Sequence, residues 1–255
     1  MKVGIAGYTG RVGELLIKEL QSGAWKDLQL VGGTAPDASD EDYFTTKDPA
    51  ELFERADVVI DFTRPEATLK HVELAAETGT AMVIGTTGLT AEDETALAKA
   101  AEKTAIVYAA NMSVGVNLLL ALVEKAAKSL GPDDWDIEIF ESHHRHKVDA
   151  PSGTALAIGK AAAKGRGVNH DDVAVRARDG ITGERESGSI GYSVARGGDV
   201  VGEHTAYFYS EGERIELTHV ATNRALFARG ALRAASELTK LGDNGLFSMR
   251  DVLGI

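Results

Sequence analysis

Five short apolar segments, at residues 3–5, 28–31, 58–60, 82–84 and 106–108, recur through the first half of this chain at intervals of about 25 residues, the spacing of βα units. Between them lie helical patterns. Val12, Leu15, Leu16 and Leu20 keep a 3.6-residue period up to Ser22-Gly23, and Pro65 opens and Gly79 closes a stretch carrying Leu69, Val72 and Leu74. Thr90 followed by Asp93 spells a capping box ahead of Leu97. Strands that alternate with helices through short connections favour a parallel sheet covered on both faces. The expectation for this half is therefore an α/β, doubly wound sheet.

After residue 114 the rhythm breaks. A helix is predicted over 116–129, and Gly131-Pro132 then leads into the alternating run Asp136-Ile-Glu-Ile139. From Val173 onward the pattern turns strand-like, punctuated by Gly180, Gly183, Gly188, Gly191, Gly197 and Gly198. Residues 204–210 and 214–220 read as a hairpin across Glu211-Gly-Glu213, and 225–241 returns to helix, packing back on the first domain. Two domains follow. Residues 1–113, completed by 224–255, form the doubly wound, Rossmann-type one; residues 114–223 form an α+β domain on a mixed sheet. Hinges are expected near Ser113-Val114 and Asn223-Arg224.

Composition narrows the function class. The formal charge of −12 leaves no basic stripe for nucleic acid, so an anionic ligand must meet a local cationic pocket. No apolar run approaches the ~20 residues of a membrane span. Cysteine is absent, which removes disulfides, thiolate metal sites and cysteine nucleophiles and fits a reducing cytoplasm. The first residues read as strand and turn, so no cleaved export signal is expected.

Gly7-Tyr-Thr-Gly10-Arg-Val-Gly13 follows the first strand and opens a helix. Glycines in that position allow a tight turn, close approach of a pyrophosphate and close helix packing, so this domain is expected to bind a dinucleotide. Gly85-Thr-Thr-Gly88 and Ala109-Ala-Asn-Met112 lie after later strands, where ligands of open α/β sheets bind. The ribose position is ambiguous. An acidic residue would select NAD and an arginine NADP, yet the second strand ends in Gly32-Gly-Thr-Ala-Pro-Asp37. Thr34 serves either ribose form, Asp37 lies late, and Arg11 could offset a 2′-phosphate.

The densest chemistry is Glu141-Ser-His-His-Arg-His-Lys-Val-Asp-Ala-Pro-Ser-Gly-Thr154, three imidazoles and two fixed cations beside a small-residue helix start. Ile137 and Ile139 alternate with Glu138, so a strand is expected to carry the chain into His143; if extension continued, His144 and His146 would share one face, and His143, Arg145 and Lys147 the other. A metal site is disfavoured, because no HExxH spacing is present and Arg145 and Lys147 repel a divalent ion. Ser152, Gly153 and Thr154 open a helix whose amides and hydroxyls can hold an oxyanion. With Lys147 as a point charge and His144 as a directional donor, the group suits a carboxylate. An imidazole titrates near neutrality, so His143 can give a proton there. Beside a dinucleotide, that implies hydride transfer completed by protonation.

This run resembles the signature of the 4-hydroxy-tetrahydrodipicolinate reductase (dihydrodipicolinate reductase) family. Similarity continues in Asp61-Phe-Thr-Arg-Pro65, Gly85-Thr-Thr-Gly88, Asn111-Met-Ser-Val-Gly-Val-Asn117, Thr182-Gly-Glu-Arg185, Gly202-Glu-His-Thr205 and Phe247-Ser-Met-Arg-Asp-Val-Leu253. The resemblance implies NADH- or NADPH-dependent reduction of a cyclic, unsaturated dicarboxylate made from pyruvate and aspartate semialdehyde, in lysine and diaminopimelate biosynthesis. It implies His143 as proton donor, Lys147 as second proton donor and substrate cation, and His144, Gly153 and Thr154, with Ser152, as the carboxylate site. Gly7, Tyr8, Thr9, Gly10, Arg11, Val12, Gly85, Thr86, Thr87, Ala109, Ala110, Asn111 and Met112 would line the dinucleotide. It also implies a cytoplasmic homotetramer joined through the second domain, without nucleic-acid or membrane partners. Family members often carry an acidic residue, or an acidic-basic pair, where this chain has Ala35-Pro36, so NADH and NADPH both stay open. A dinucleotide-sensing regulator without turnover is the competing class; the intact His143 and Lys147 count against it.

Overall fold

The computed structural model describes all 255 residues. The chain runs β1 (Lys2–Ala6), α1 (Arg11–Gln21), β2 (Gln29–Thr34), β3 (Thr45–Thr46), α2 (Pro49–Phe53), β4 (Val58–Asp61), α3 (Pro65–Thr78), β5 (Ala81–Ile84), α4 (Ala91–Ala100) and β6 (Ala105–Tyr108). There follow α5 (Val114–Ser129), β7 (Asp136–His143), α6 (Gly153–Arg166), α7 (His170–Val173), β8 (Ala174–Val175), β9 (Ile190–Arg196), β10 (Gly202–Ser210) and β11 (Glu213–Ala221). The chain closes with α8 (Ala225–Leu241), β12 (Gly245–Phe247) and α9 (Met249–Leu253). It divides into two compact units, Met1–Val114 with Arg224–Ile255, and Gly115–Asn223.

The first unit is a parallel sheet of order β12-β6-β5-β4-β1-β2-β3. Its central strands are apolar throughout because both faces are covered. Val3, Ile5, Val58, Ile60, Val83 and Val107 pack with α1 and α8 on one side, while Val59, Met82, Ile84 and Ile106 pack with α3 and α4 on the other. The chain winds outward from β1 through β2 and β3, then returns to the other side of β1 to begin β4. The strand order reverses between β1 and β4, so the crevice at their carboxyl ends is the topological switch point. The predicted helix signals are realised. Gly79 ends α3 at φ 74°, and the Thr90–Asp93 box closes with bonds of 2.8 and 3.2 Å. Strands β3 and β12 had no forecast; at two and three residues they are too short to show a period.

The second unit is a mixed sheet of order β11-β10-β7-β9-β8, in which β7 is antiparallel to β10 and parallel to β9. Helices α5 and α6 cover one face, packing Leu119, Val123, Ile158 and Ala162 against Ile137, Ile139, Tyr192 and Phe208. Two expectations are corrected here. The strand-like reading after Val173 yields only β8 before Ile190, since Gly180, Gly183 and Gly188 take φ of 69, 75 and 80° and bend residues 176–189 into a loop. That loop is tied down by Arg178 and Arg185, which hold Glu138 at 2.8–3.0 Å. The alternation through Lys147 also fails, because β7 stops at His143 and the chain turns there, with Lys147 N–H donating to the His144 carbonyl at 3.2 Å.

Candidate active site

In the first unit, the loops after β1, β4, β5 and β6 line two adjoining clefts. Gly7 turns the chain at φ 80°, and a Cβ on Gly13 would sit 2.2 Å from the Gly7 carbonyl oxygen, so the turn and the close helix both require glycine. Gly10 caps α1 without a side-chain bond, which keeps the amides of the first turn available to an anion. This cradle fits a dinucleotide pyrophosphate. One cleft, about 830 Å³, is lined by Gly7, Thr9, Gly10, Thr34, Ala35, Pro36 and Asp37, with Lys47 and Lys70. The other, about 460 Å³, is lined by Gly10, Arg11, Val12, Gly85, Thr86, Thr87, Ala110, Asn111 and Met112. Two predicted residues line neither: Tyr8 is buried beneath Gly33 with its hydroxyl on the Ser39 amide at 2.9 Å, and Ala109 donates its amide to Ile84 at 3.2 Å.

Beneath these loops sits a network that hydropathy does not reveal. Asp61, fully buried at the end of β4, accepts from Thr63 N–H at 2.9 Å, Thr63 Oγ1 at 2.6 Å and Thr86 Oγ1 at 3.2 Å. Its other oxygen lies 2.7 Å from His71 Nδ1. One carboxylate thus joins the loops after β4 and β5 to α3.

In the second unit, the inward face of β7 reads Ile137, Ile139, Glu141, His143. The strand keeps its alternation while its buried side chains change from apolar to ionisable, so the sheet's core ends in a polar cluster. Glu141 is 0% exposed, and four hydrogen bonds reach its two oxygens: Arg196 at 2.8 and 2.8 Å, the Ser152 amide at 2.9 Å and His143 Nδ1 at 2.5 Å. Burial alone would raise the Glu141 pKa; the bonds from Arg196, His143 and Ser152 outweigh it and hold the carboxyl below its usual range. His204 on β10 packs edge-on against His143 with ring centroids 5.0 Å apart. Burial, with a smaller push from His143, lowers the His204 pKa to about 4.

Of the predicted substrate residues, Ser152 is the N-cap of α6. Its Oγ accepts from Ala155 N–H at 3.1 Å and lies 3.0 Å from His204 Nε2, so its side chain faces the interior. Gly153 and Thr154 are the first two residues of α6. His144 leaves the strand half-buried, while Arg145 and His146 are exposed. Lys147 Nζ donates to both oxygens of Asp149, at 2.7 and 2.9 Å, and this bond holds the Asp149 carboxyl below its usual range despite some desolvation. The structure therefore brings His143 and Ser152 together through Glu141, and places Lys147 on the loop joining them. Glu141, Arg196, His204 and Asp61 escaped the sequence reading as site residues, although Glu141 lies two positions before His143 on a strand, the spacing that puts both on one face.

Two family descriptions match the chain in succession: dihydrodipicolinate reductase, N-terminus, over residues 1–112, and dihydrodipicolinate reductase, C-terminus, over residues 115–253. The 4-hydroxy-tetrahydrodipicolinate reductase of Burkholderia multivorans is 51% identical over all of both chains. That of Rhizobium rhizogenes is 47% identical over all of this chain and 97% of its own. Among solved structures, a dipicolinate-bound dihydrodipicolinate reductase from Paenisporosarcina sp. TG-14 shares the fold at TM-score 0.82 and 24% identity, over 98% of each chain. A probable dehydrogenase from Thermotoga maritima aligns at TM-score 0.62 and 13% identity, over 99% of this chain and 92% of its own.

Proposed function

The chain belongs to the dihydrodipicolinate reductase family, and we propose that it reduces the cyclic dicarboxylate 4-hydroxy-tetrahydrodipicolinate to tetrahydrodipicolinate with NADH or NADPH, a step of lysine and diaminopimelate biosynthesis. The observation that carries the assignment of roles is His143 held on a buried carboxylate at the end of β7, on the same short segment as Lys147 and the start of α6.

The reduced nicotinamide supplies the hydride. Gly7, Thr9, Gly10, Arg11 and Val12, with Gly85, Thr86, Thr87, Ala110, Asn111 and Met112, would hold the dinucleotide, its phosphates at the α1 start; Tyr8 and Ala109 would support the cradle without lining it. His144, Lys147, Gly153 and Thr154 bind substrate carboxylate, on a helix start that Ser152 caps. A carboxylate arriving at Lys147 exchanges with that of Asp149, one anion for another, so Lys147 keeps a partner throughout. The 4-hydroxyl leaves with a ring hydrogen as water, His143 gives its proton to the substrate as the hydride adds, and Lys147 is the second donor. Local cations matter in a chain of charge −12, whose overall field repels a dianion.

The same reading makes the protein a cytoplasmic homotetramer joined through residues 114–223. The absence of cysteine supports a reducing compartment, and the sheet face opposite α5 and α6, with the stacked Tyr207–Tyr209 pair and exposed Val220, supports an interface. Replacing His143 by Gln or Lys147 by Met should lower kcat by about 100-fold or more, with cofactor affinity unchanged, because protonation is needed only in the transition state. An equal loss of cofactor binding would contradict these roles.

A further inference from the structure

Glu141, fully buried, and Arg196, partly exposed, form an ion pair that the proposed reduction does not use. We propose that Glu141, clamped by Arg196, is a positioning residue for protonation: it holds His143 by Nδ1 so that Nε2 faces substrate, and it ties that ring to the start of α6. This rests on the reading of His143 as proton donor.

Three observations carry it. First, the four hydrogen bonds to Glu141 fill the acceptor sites of a carboxylate, so its position is fully determined. Arg196 is fixed in turn, donating also to the Asp149 carbonyl at 2.7 Å and the Ala195 carbonyl at 2.7 Å. Second, Glu141 is held in its ionised form and can only accept, so the hydrogen at Nδ1 belongs to His143. The neutral ring then has its lone pair at Nε2, and the protonated ring has its transferable proton there. Third, the neighbouring strand carries glycine at that point. A Cβ on Gly202 would lie 3.0 Å from His143 Nε2 and 3.3 Å from Cδ2, so any side chain there would crowd the working nitrogen.

A purely structural reading explains this less well. A buried carboxylate, even when paired, is a poor stabiliser compared with apolar packing, and Ile137 and Ile139 fill the preceding positions on the same face. The charges do something that isoleucine cannot. They fix a tautomer, and through the Ser152 amide they hold the proton donor and the carboxylate-binding helix start in one frame. In the step itself the Nε2–H bond breaks, the proton passes to substrate, and the bonding pair stays on Nε2. The neutral ring that remains keeps its Nδ1–H on Glu141. The charged and titratable groups around the ring are Glu141 on its own strand, Arg196 on β9, His204 on β10, His219 beyond it on β11, and Lys147 with Asp149 on the following loop.

The test reads the tautomer directly. In the full chain labelled with ¹⁵N-histidine, at alkaline pH where imidazoles are neutral, His143 should show the Nδ1–H form, assigned by loss of its signals in His143→Gln. An Nε2–H form in the wild type would overturn the proposal without any variant. Glu141→Gln should shift His143 toward the Nε2–H form and lower kcat about 10- to 100-fold, with KM for the cyclic dicarboxylate and cofactor affinity within about threefold. Arg196→Lys, which keeps the charge but loses the fork, should fall between the two and serves if Glu141→Gln does not fold. Unchanged kcat in a folded variant would refute the positioning role. Absence of turnover in the wild type would instead refute the reductase reading, while the tautomer measurement, which needs no turnover, still decides this one.

Discussion

His204 makes the stability of the second unit depend on pH in a way that one substitution should remove. Its ring is 4% exposed, wedged between His143, Glu141, His219 and the Ser152 hydroxyl, and its pKa falls to about 4 from the usual 6.5, chiefly through burial and next through the nearby His143. Above pH 6.5 the ring is neutral folded and unfolded, and contributes no pH dependence. Between 6.5 and about 4 only the unfolded chain takes the proton, so stability is lost as pH falls, and the loss saturates below about 4. At ~1.4 kcal/mol per pH unit, that gap amounts to about 3 kcal/mol. His204→Gln retains a partner for Ser152 and cannot titrate. Urea unfolding of a Trp25→Phe background, where Trp135 reports on the second unit alone, should give wild-type stability falling more steeply than the variant's between pH 7 and 4.5, the curves converging or crossing by up to about 3 kcal/mol. Parallel curves would refute the reasoning, since the other titrating groups are common to both proteins.

Two further outcomes follow from the first unit. Asp61→Asn leaves His71 and the Thr63 and Thr86 donors without their shared carboxylate, so unfolding read by Trp25 should show a loss of about 3 kcal/mol, together with weaker cofactor binding. Lys47 and Lys70 line the cleft where Ala35-Pro36 supplies no charge; Lys47→Gln should weaken NADPH binding by about fivefold, equivalent to roughly 1 kcal/mol, and NADH binding less, in fluorescence titrations at low salt.

Much of this could be read from the chain because the physics is local. Parallel strands buried on both faces are continuous apolar runs, and Gly79, Thr90 and Asp93 announce helix ends through bonds to near neighbours. The strand that runs into His143 is legible in the alternation of Ile137 and Ile139, but the burial of positions 141 and 143 is not, since hydropathy reads a glutamate and a histidine as surface. Their burial depends on Arg196, which stands 55 positions away and meets Glu141 only through sheet pairing. In the sequence the glycines at 180, 183 and 188 look like punctuation between strands, whereas their left-handed conformations make the whole stretch a loop. Lys47 and Lys70 line the same cleft as Ala35 and Pro36, from the β3–α2 connection and from α3, and no spacing rule links them to Ala35.

The central claim is tested most directly by following reduced-cofactor absorbance with the purified chain while the cyclic intermediate is generated from pyruvate and aspartate semialdehyde, NADH and NADPH side by side. Oxidation should occur with at least one cofactor, should require the intermediate, and should be abolished in His143→Gln. No oxidation of either cofactor, or oxidation that persists without the intermediate, would contradict the account.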